Sequence, residues 1–384
     1  MKIGVLTHPF FGNYGGMLQA YAMVTVLRSM GHDAFNLVFL PPRPPSFLKH
    51  PIRNLRMKLN IGTRLRCLLL MLRPEKGTAA PKGGAALRNG QRFQRQYMPC
   101  IWIGDNPAVQ LAESGIEAIV VGSDQVWRGG YARSQKSLPF FFLDFATEAV
   151  RHRSIAYAAS FGTDTWEGYE QETEVCRKLL QEFKAVSVRE SSGVDVCRTV
   201  FERAVLHVVD PTLLLQNSDY QALIDAEKSM VPASSFISTY LLDSHSETSS
   251  AISAIARSLN LPIRPLKDNP QAPHRRDRLP FSVGQWLRHI RDAEYFITDS
   301  FHGCVFAIIF NKPFVCLGNE RRGSARFDSL LSTFSLQERL ITTRDADTIV
   351  QTLTTPIDWD RINAIRRSEQ QRAYGFLFSN LGKV

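Results

Sequence analysis

Tyr295-Phe296-Ile297-Thr298-Asp299-Ser300-Phe301-His302-Gly303 reads as a short buried strand that ends in polar residues and turns directly into an apolar helix over residues 304–310. A strand feeding a helix through so short a turn is the repeating half-unit of a parallel α/β sheet. The turn puts His302 at the carboxyl edge of a sheet, beside a helix N-terminus, where free backbone N–H groups and the helix dipole favour an anion. An ionisable proton donor beside an anion pocket suits addition or elimination on a phosphorylated acid. A buried histidine hydrogen-bonded to backbone fits the same stretch.

Outward from this unit the alternation continues in both directions. Residues 2–6 form a buried first strand, followed by Phe11-Gly12-Asn13-Tyr14-Gly15-Gly16 and a helix over 17–30 that Gly31 closes. Residues 34–40 give a second strand, cut off by Pro41 and Pro42. Further strands fall at 117–121, 154–159, 185–189 and 206–209, where Asp210-Pro211 stops the series. A second series occupies 236–241, 261–266, 295–298 and 314–317. The pattern predicts two Rossmann-like α/β domains facing each other across a cleft, over residues 1–215 and 216–384. The linker is expected within 215–231, and the last helix crosses back. A stretch at about 41–110, including the Gly/Ala/Pro-rich residues 77–86, interrupts the alternation and reads as an insertion rather than core. In doubly wound sheets ligands collect outside the carboxyl ends of the strands, so two such domains share one cleft.

Length and composition agree with this plan. The 384 residues suit two domains, and 44% hydrophobic with 21% charged residues is ordinary for a globular chain. The apolar run at the N-terminus is too short for a signal peptide, and no segment has the uncharged length of a membrane span. Six cysteines without a Cys-x-x-Cys pair show neither a zinc site nor a disulfide framework and fit reduced thiols, which predicts a cytoplasmic protein. The net charge of +10 is concentrated in residues 43–76, where Arg43, Lys49, Arg53 and further basic residues alternate with apolar ones and Glu75 is the only acid. Such a stretch can lie on an anionic membrane surface at the inner face of a membrane, or stand as a solvated insertion. No nucleic-acid motif accompanies the charge, so nucleic acid is not the expected partner.

Several strand ends carry candidate chemistry. The turn at 12–16 is not G-x-G-x-x-G, and no acid ends the second strand to hold a ribose, so a dinucleotide fingerprint is poorly supported. Close approach of a sugar or anion to the backbone fits the turn, as does a plain tight strand–helix connection. Val120-Val121-Gly122-Ser123-Asp124-Gln125-Val126-Trp127 places a carboxylate and an indole after a buried strand. Asp124 there can orient or deprotonate a hydroxyl and Trp127 can stack a sugar face; a helix N-cap is the simpler role for Asp124 or Ser123. Arg189, at the end of Ala185-Val186-Ser187-Val188, can grip a carboxylate or phosphate, or pair with an acid. Gly318-Asn319-Glu320-Arg321-Arg322-Gly323-Ser324-Ala325-Arg326 resembles an ordered anion loop.

Taken together, these segments resemble the polysaccharide pyruvyl transferase family. The resemblance rests on Gly12-Asn13-Tyr14-Gly15 with Leu18-Gln19-Ala20-Tyr21-Ala22, Val121 to Trp127, Tyr157-Ala158-Ala159-Ser160-Phe161-Gly162 and Ser187-Val188-Arg189-Glu190. Asp210-Pro211-Thr212, Asp299-Ser300-Phe301-His302-Gly303, Asn311-Lys312-Pro313 and Arg326-Phe327 complete it, in family order. It implies a fold similar to the glycosyltransferase-B architecture. It also implies transfer of the enolpyruvyl portion of phosphoenolpyruvate to two sugar hydroxyls of a polysaccharide or lipid-linked glycan precursor, giving a cyclic ketal and phosphate, with no metal or cofactor. His302 then matches the family's proton donor, and Asp124 orients an acceptor hydroxyl. Arg189, Ser300, Gly303, Arg322 and Arg326 hold the phosphoenolpyruvate, while Asn13, Tyr14, Gly15 and Trp127 meet the acceptor. Where many relatives carry Arg-Leu-His, this chain has Ser300-Phe301-His302, so Arg322, Arg326 or Lys312 has to replace the missing cation. Two rival readings stand beside this one: a nucleotide-sugar glycosyltransferase of similar fold, and a non-catalytic glycan- or membrane-binding relative.

Overall fold

The computed structural model describes residues 1–9, 13–39, 85–104, 106–227, 234–243, 246–266, 281–318 and 324–382. The basic stretch at 43–76 and Gly12, Arg321 and Arg322 lie outside the described residues, so the membrane-surface and Arg322 expectations fall there too.

Strands β1 (Lys2–Leu6), β2 (Asp33–Phe39), β3 (Cys100–Ile103), β4 (Ala118–Val121), β5 (Ile155–Ala159), β6 (Ala185–Val188) and β7 (Leu206–His207) form a parallel sheet in the order β3-β2-β1-β4-β5-β6-β7. Every residue of β4 and β5 is buried, as expected of strands covered on both faces and written as unbroken apolar runs. A second parallel sheet contains β8 (Ile237–Tyr240), β9 (Ile263–Pro265), β10 (Tyr295–Thr298), β11 (Phe314–Leu317) and β12 (Leu340–Ile341), in the order β12-β11-β10-β8-β9. The strand order of each sheet reverses once, between β1 and β4 in the first and between β8 and β10 in the second. Those two switch points are where an open α/β sheet presents its ligand crevice.

One apolar core joins the two sheets. Leu18, Met23 and Leu27 of the helix Tyr14–Ser29 belong to the same buried cluster as Trp286, Phe296 and Phe306. The Tyr14 ring stacks on Trp286 with centroids 5.4 Å apart, and its hydroxyl donates to the Phe281 carbonyl at 2.6 Å. The final helix, Trp359–Leu381, returns to the first sheet. Its Arg366 Nε and Gln370 Nε2 both donate to the Leu213 carbonyl, at 3.2 and 2.7 Å, and Phe376 packs near Tyr157. The buried carbonyls of the connecting segment therefore receive hydrogen bonds from the last helix.

Two sequence expectations change. Residues 85–110 are not inserted outside the core: β3 pairs in register with β2, Asn36 opposite Cys100, and Phe93, Met98 and Ile103 are buried. This strand is four residues long and half exposed at Trp102, so its apolar signal is weak. The first helix also begins earlier than expected. It starts at Tyr14, and Asn13 caps it by accepting a hydrogen bond from the Gly16 N–H, so Gly15 and Gly16 belong to its first turn. Among the described residues no helix is long and apolar enough to cross a membrane.

Candidate functional site

At the first switch point β4 runs into Gly122-Ser123-Asp124. Gly122 has φ 119°, and a Cβ there would meet the Tyr157 carbonyl at 2.3 Å, so glycine is required for the chain to turn. The Ser123 N–H donates to Gln19 Oε1 at 2.9 Å, while Gln19 Nε2 donates to Thr7 Oγ1 at 2.8 Å. One buried glutamine thus ties the first helix to the ends of both β1 and β4.

The hub of the site is Asp210, just past β7. Its Oδ1 accepts from the Thr212 N–H at 3.0 Å and the Thr212 hydroxyl at 2.7 Å. Its Oδ2 accepts from Ser123 Oγ at 2.7 Å and Arg189 Nη1 at 2.9 Å, and lies 3.5 Å from His302 Nε2. Burial alone would raise this carboxyl. The charge and contact of His302, then Arg189 and Ser123, outweigh burial and hold it well below the usual carboxylate range. Asp124 follows the same logic: burial raises it, but Arg189, His8 and His302 leave it lowered. Arg189 Nη2 lies 3.9 Å from Asp124 Oδ1, so one guanidinium sits between two ionised acids.

His302 arrives from the second sheet. Ser300 caps the helix Phe301–Ile309 by accepting from the Gly303 N–H, which puts His302 in its first turn. The ring enters a gap that exists because residue 15 has no side chain: a Cβ on Gly15 would lie 2.1 Å from His302 Nδ1. Nε2 is fully buried toward Asp210, and Nδ1 lies on the Gly15 side. Gly303 serves a similar end, since a Cβ there would strike Thr298 Oγ1 at 2.3 Å.

Phe301 lies between two guanidinium groups. Arg189 Cζ is 4.4 Å and Arg326 Cζ 5.8 Å from its ring centroid. Burial, reinforced by the nearby charge of Arg189, lowers Arg326 to about 10, so it keeps its charge at neutral pH. Arg326 lines a cleft of about 290 Å³ with Asn13, Asp124 and Gln125 from the first-sheet side and Ser300, Phe301 and His302 from the other. That volume is room for roughly ten waters or one small organic acid. Among the described residues no group of three or more His, Cys, Asp or Glu side chains forms a metal-binding set.

Of the residues expected at the site, Asn13, Asp124, Ser300, His302 and Arg326 line this cleft. Trp127 does not. Its indole is fully buried, donates to the Phe141 carbonyl at 3.1 Å and stacks on Phe142, so it has no free face for a sugar. Tyr14 is taken up by Trp286 and Phe281, and Gly15 by the His302 ring. Gly303 has its N–H directed to Ser300 Oγ and its Cα packed on Thr298. Arg189 is buried behind Phe301 rather than on the cleft surface. Lys312 stands past the far end of the His302 helix, in the surroundings of Asp292 and Arg291. Asp210 and Gln19 were not picked out as site residues. The signal for Asp210 was present, an acid directly after a strand and before a proline. The signal for Gln19 was a lone polar residue in an apolar helix face.

A family model for polysaccharide pyruvyl transferase matches residues 13–321. No curated protein matches the chain significantly. Among solved structures, one assigned as a UDP-N-acetylglucosamine 2-epimerase from Listeria monocytogenes superposes with a TM-score of 0.53 at 10% identity, covering 100% of this chain and 97% of that one. The UDP-GlcNAc 2-epimerase of Methanocaldococcus jannaschii gives 0.49 at 11% identity over 98% and 100% of the two chains. The first of these shows a shared fold of two facing parallel α/β sheets, the glycosyltransferase-B-like arrangement expected from the sequence.

Proposed function

Because the chain belongs to the polysaccharide pyruvyl transferase family, we propose that it transfers the enolpyruvyl group of phosphoenolpyruvate to two hydroxyls of a glycan acceptor, closing a cyclic ketal and releasing phosphate. The observation that carries this reading is His302, held 3.5 Å from the ionised Asp210 in a cleft that also contains the buried cation of Arg326.

The residues divide the work as follows. Asp210 fixes the His302 ring by its Nε2 edge, leaving Nδ1 to deliver a proton to the methylene carbon. That protonation makes the central carbon electrophilic. A sugar hydroxyl then attacks it and loses its proton to the now neutral histidine. A second hydroxyl displaces phosphate, its proton leaving with the phosphate. Arg326 and the N-terminus of the Phe301–Ile309 helix offset the donor's negative charge, with Arg326 in the part of the arginine missing before Phe301. Arg189 stays behind Phe301, where Nη1 holds Asp210 and Nη2 faces Asp124, so it acts on the donor through its charge and the placement of those two acids. Asp124 is too weak a base, with its lowered pKa, to take a hydroxyl proton, so it orients the acceptor by accepting a hydrogen bond.

The test is phosphate release from phosphoenolpyruvate with a panel of lipid-linked or model galactosides, mannosides and N-acetylated sugars, wild type against His302→Ala. Acceptor-dependent release that the variant loses, with a pyruvate-sized mass gain on the sugar, is expected. Consumption of a nucleotide sugar together with no binding of phosphoenolpyruvate would falsify the proposal.

A further inference from the structure

The buried indole of Trp127 leaves the acceptor without the aromatic surface on which a sugar ring stacks. The structure offers another four residues on. Tyr131, in the helix Gly129–Gln135, is 41% exposed and lines the same cleft as Asn13, Asp124 and Gln125. Large exposed aromatics are uncommon in this molecule, and Tyr131 is the one that the cleft wall includes among the described residues. It is also held from behind. The Arg128 guanidinium lies over the ring at 4.6 Å from its centroid, and Arg128 Nη1 donates to Gln125 Oε1 at 3.0 Å, with Glu167 Oε1 at 3.8 Å from its Nε. Glu167 also accepts from the Gly130 N–H at 3.2 Å, clamping the start of the helix. His8 meets the ring at an angle of 74° with centroids 6.5 Å apart. An aromatic ring whose position is fixed by a cation and a clamp loses little freedom on binding, and its exposed body offers an apolar face with a polar tip.

We infer that Tyr131, backed by Arg128, is the platform on which a sugar ring of the acceptor stacks, its hydroxyls turned toward Asp124 and Asn13. The inference rests on the glycan acceptor of the preceding section, but not on the identity of the donor. Tyr131 is a binding residue for the sugar face, and it makes no contact with the reacting carbon. The ligand class is a pyranose with an apolar C–H face, carried on an oligosaccharide long enough to leave the cleft.

The experiment measures two affinities on the full-length protein without turnover. One is binding of wild type, Tyr131→Ala and Tyr131→Trp to immobilised galactan, mannan and N-acetylglucosamine oligomers. The other is calorimetric binding of phosphoenolpyruvate to the same three proteins. At least one glycan is expected to be retained by wild type and Tyr131→Trp, and about tenfold more weakly by Tyr131→Ala, a loss of about 1.4 kcal/mol, while phosphoenolpyruvate affinity stays equal in all three. Equal glycan binding by Tyr131→Ala overturns the platform, as does retention of no glycan by wild type, and so does an equal loss of phosphoenolpyruvate binding in Tyr131→Ala. Glycan binding that depends on Tyr131 in a protein that does not bind phosphoenolpyruvate keeps the platform and removes the donor assignment.

Discussion

On the first-sheet side of the cleft, both oxygens of Asp210 are taken by donors from Thr212, Ser123 and Arg189. On the second-sheet side, His302 is positioned by a cap at Ser300, a missing side chain at Gly15 and the Asp210 carboxylate 3.5 Å from Nε2. The first wall is fixed by hydrogen bonds among buried charges, the second by volume. A wall of the first kind fails when a charge is lost, and a wall of the second kind fails when an atom is added. This difference explains why one acid just past β7 and one glycine on the first helix, neither facing the cleft as a ligand group, decide where the imidazole stands.

Removing the charge is expected to have the largest effect. Asp210→Asn leaves the Arg189 guanidinium buried against an amide and removes the carboxylate beside His302. Loss of one partner from a buried ionic pair costs about 3–5 kcal/mol, read as a lower urea midpoint at pH 7, and acceptor-dependent phosphate release should fall at least a hundredfold. The pH dependence has a definite sign. Asp210 is held well below its unfolded value, so its stabilisation is complete above about pH 4 and is lost as pH falls toward the folded value. The gap between wild type and variant must therefore shrink below pH 4; a gap that is constant from pH 7 to pH 2.5 contradicts the ionised hub.

Adding an atom probes the other wall. Gly15→Ala brings a Cβ to 2.1 Å from His302 Nδ1, so the ring must move. A displacement of about 1 Å at a reacting group costs on the order of a hundredfold in rate, while the helix itself gains from alanine. The neighbouring Gly16→Ala meets the Asn13 amide, Nδ2 at 3.1 Å and Cγ at 3.3 Å, and Asp124 Oδ2 at 3.4 Å and should cost less than tenfold. Similar rates for the two variants, with both proteins folded by circular dichroism, would show that the glycine gap does not set the histidine.

The half of the molecule built on the second sheet carries its own acid sensitivity. His289, on the helix Val283–Asp292, is lowered to about 4 by burial first and by the charge of Arg264 second, and it packs against Phe281 and Phe236. Its folded value lies below its unfolded one, so the stability it supports is present above about pH 6.5 and is lost as pH falls from there to about 4, on the order of 2–3 kcal/mol. His289→Phe should make the stability curve shallower in that window, where His207 and His32, also lowered by burial, keep part of the slope, and leave the decline below pH 4, which belongs to Asp210 and Asp124. An unchanged slope between pH 6.5 and 4 in the variant assigns that loss elsewhere.

The sheets were legible because their strands are short apolar runs at regular intervals, each followed by a polar turn; β4, β5 and β10 could be read from the chain directly. β3 could not, because an exposed edge strand of four residues carries little periodic signal. At the site, the residues at strand ends, Asp124, Arg189 and His302, stood out by chemistry. Their division of labour did not. Whether Arg189 faces a ligand or an internal acid depends on where Asp210 lies in space, eighty-six residues from Asp124 by their numbers and adjacent only through the sheet. Gly15 is expected to let a ligand approach the backbone and Gly303 to help hold the donor, and the space beside them is filled by His302 and Thr298. Sequence shows that space is needed and not what fills it.

The smallest effect separates two aromatics four residues apart. Trp127 and Tyr131 follow the same strand, yet one lies in the core of the first sheet and the other on the cleft wall. Trp127→Phe removes the donor to the Phe141 carbonyl and part of the stack on Phe142, which should cost about 1–3 kcal/mol through an unpaired buried acceptor and a small cavity. Because the indole has no exposed face, glycan retention by the folded variant should equal that of wild type. A variant of normal stability with weakened glycan binding would return Trp127 to the acceptor and place the sugar deeper, against the turn after β4. Reduced stability with unchanged binding leaves the exposed ring of Tyr131 as the aromatic surface at the cleft wall, since the two residues then answer to different measurements.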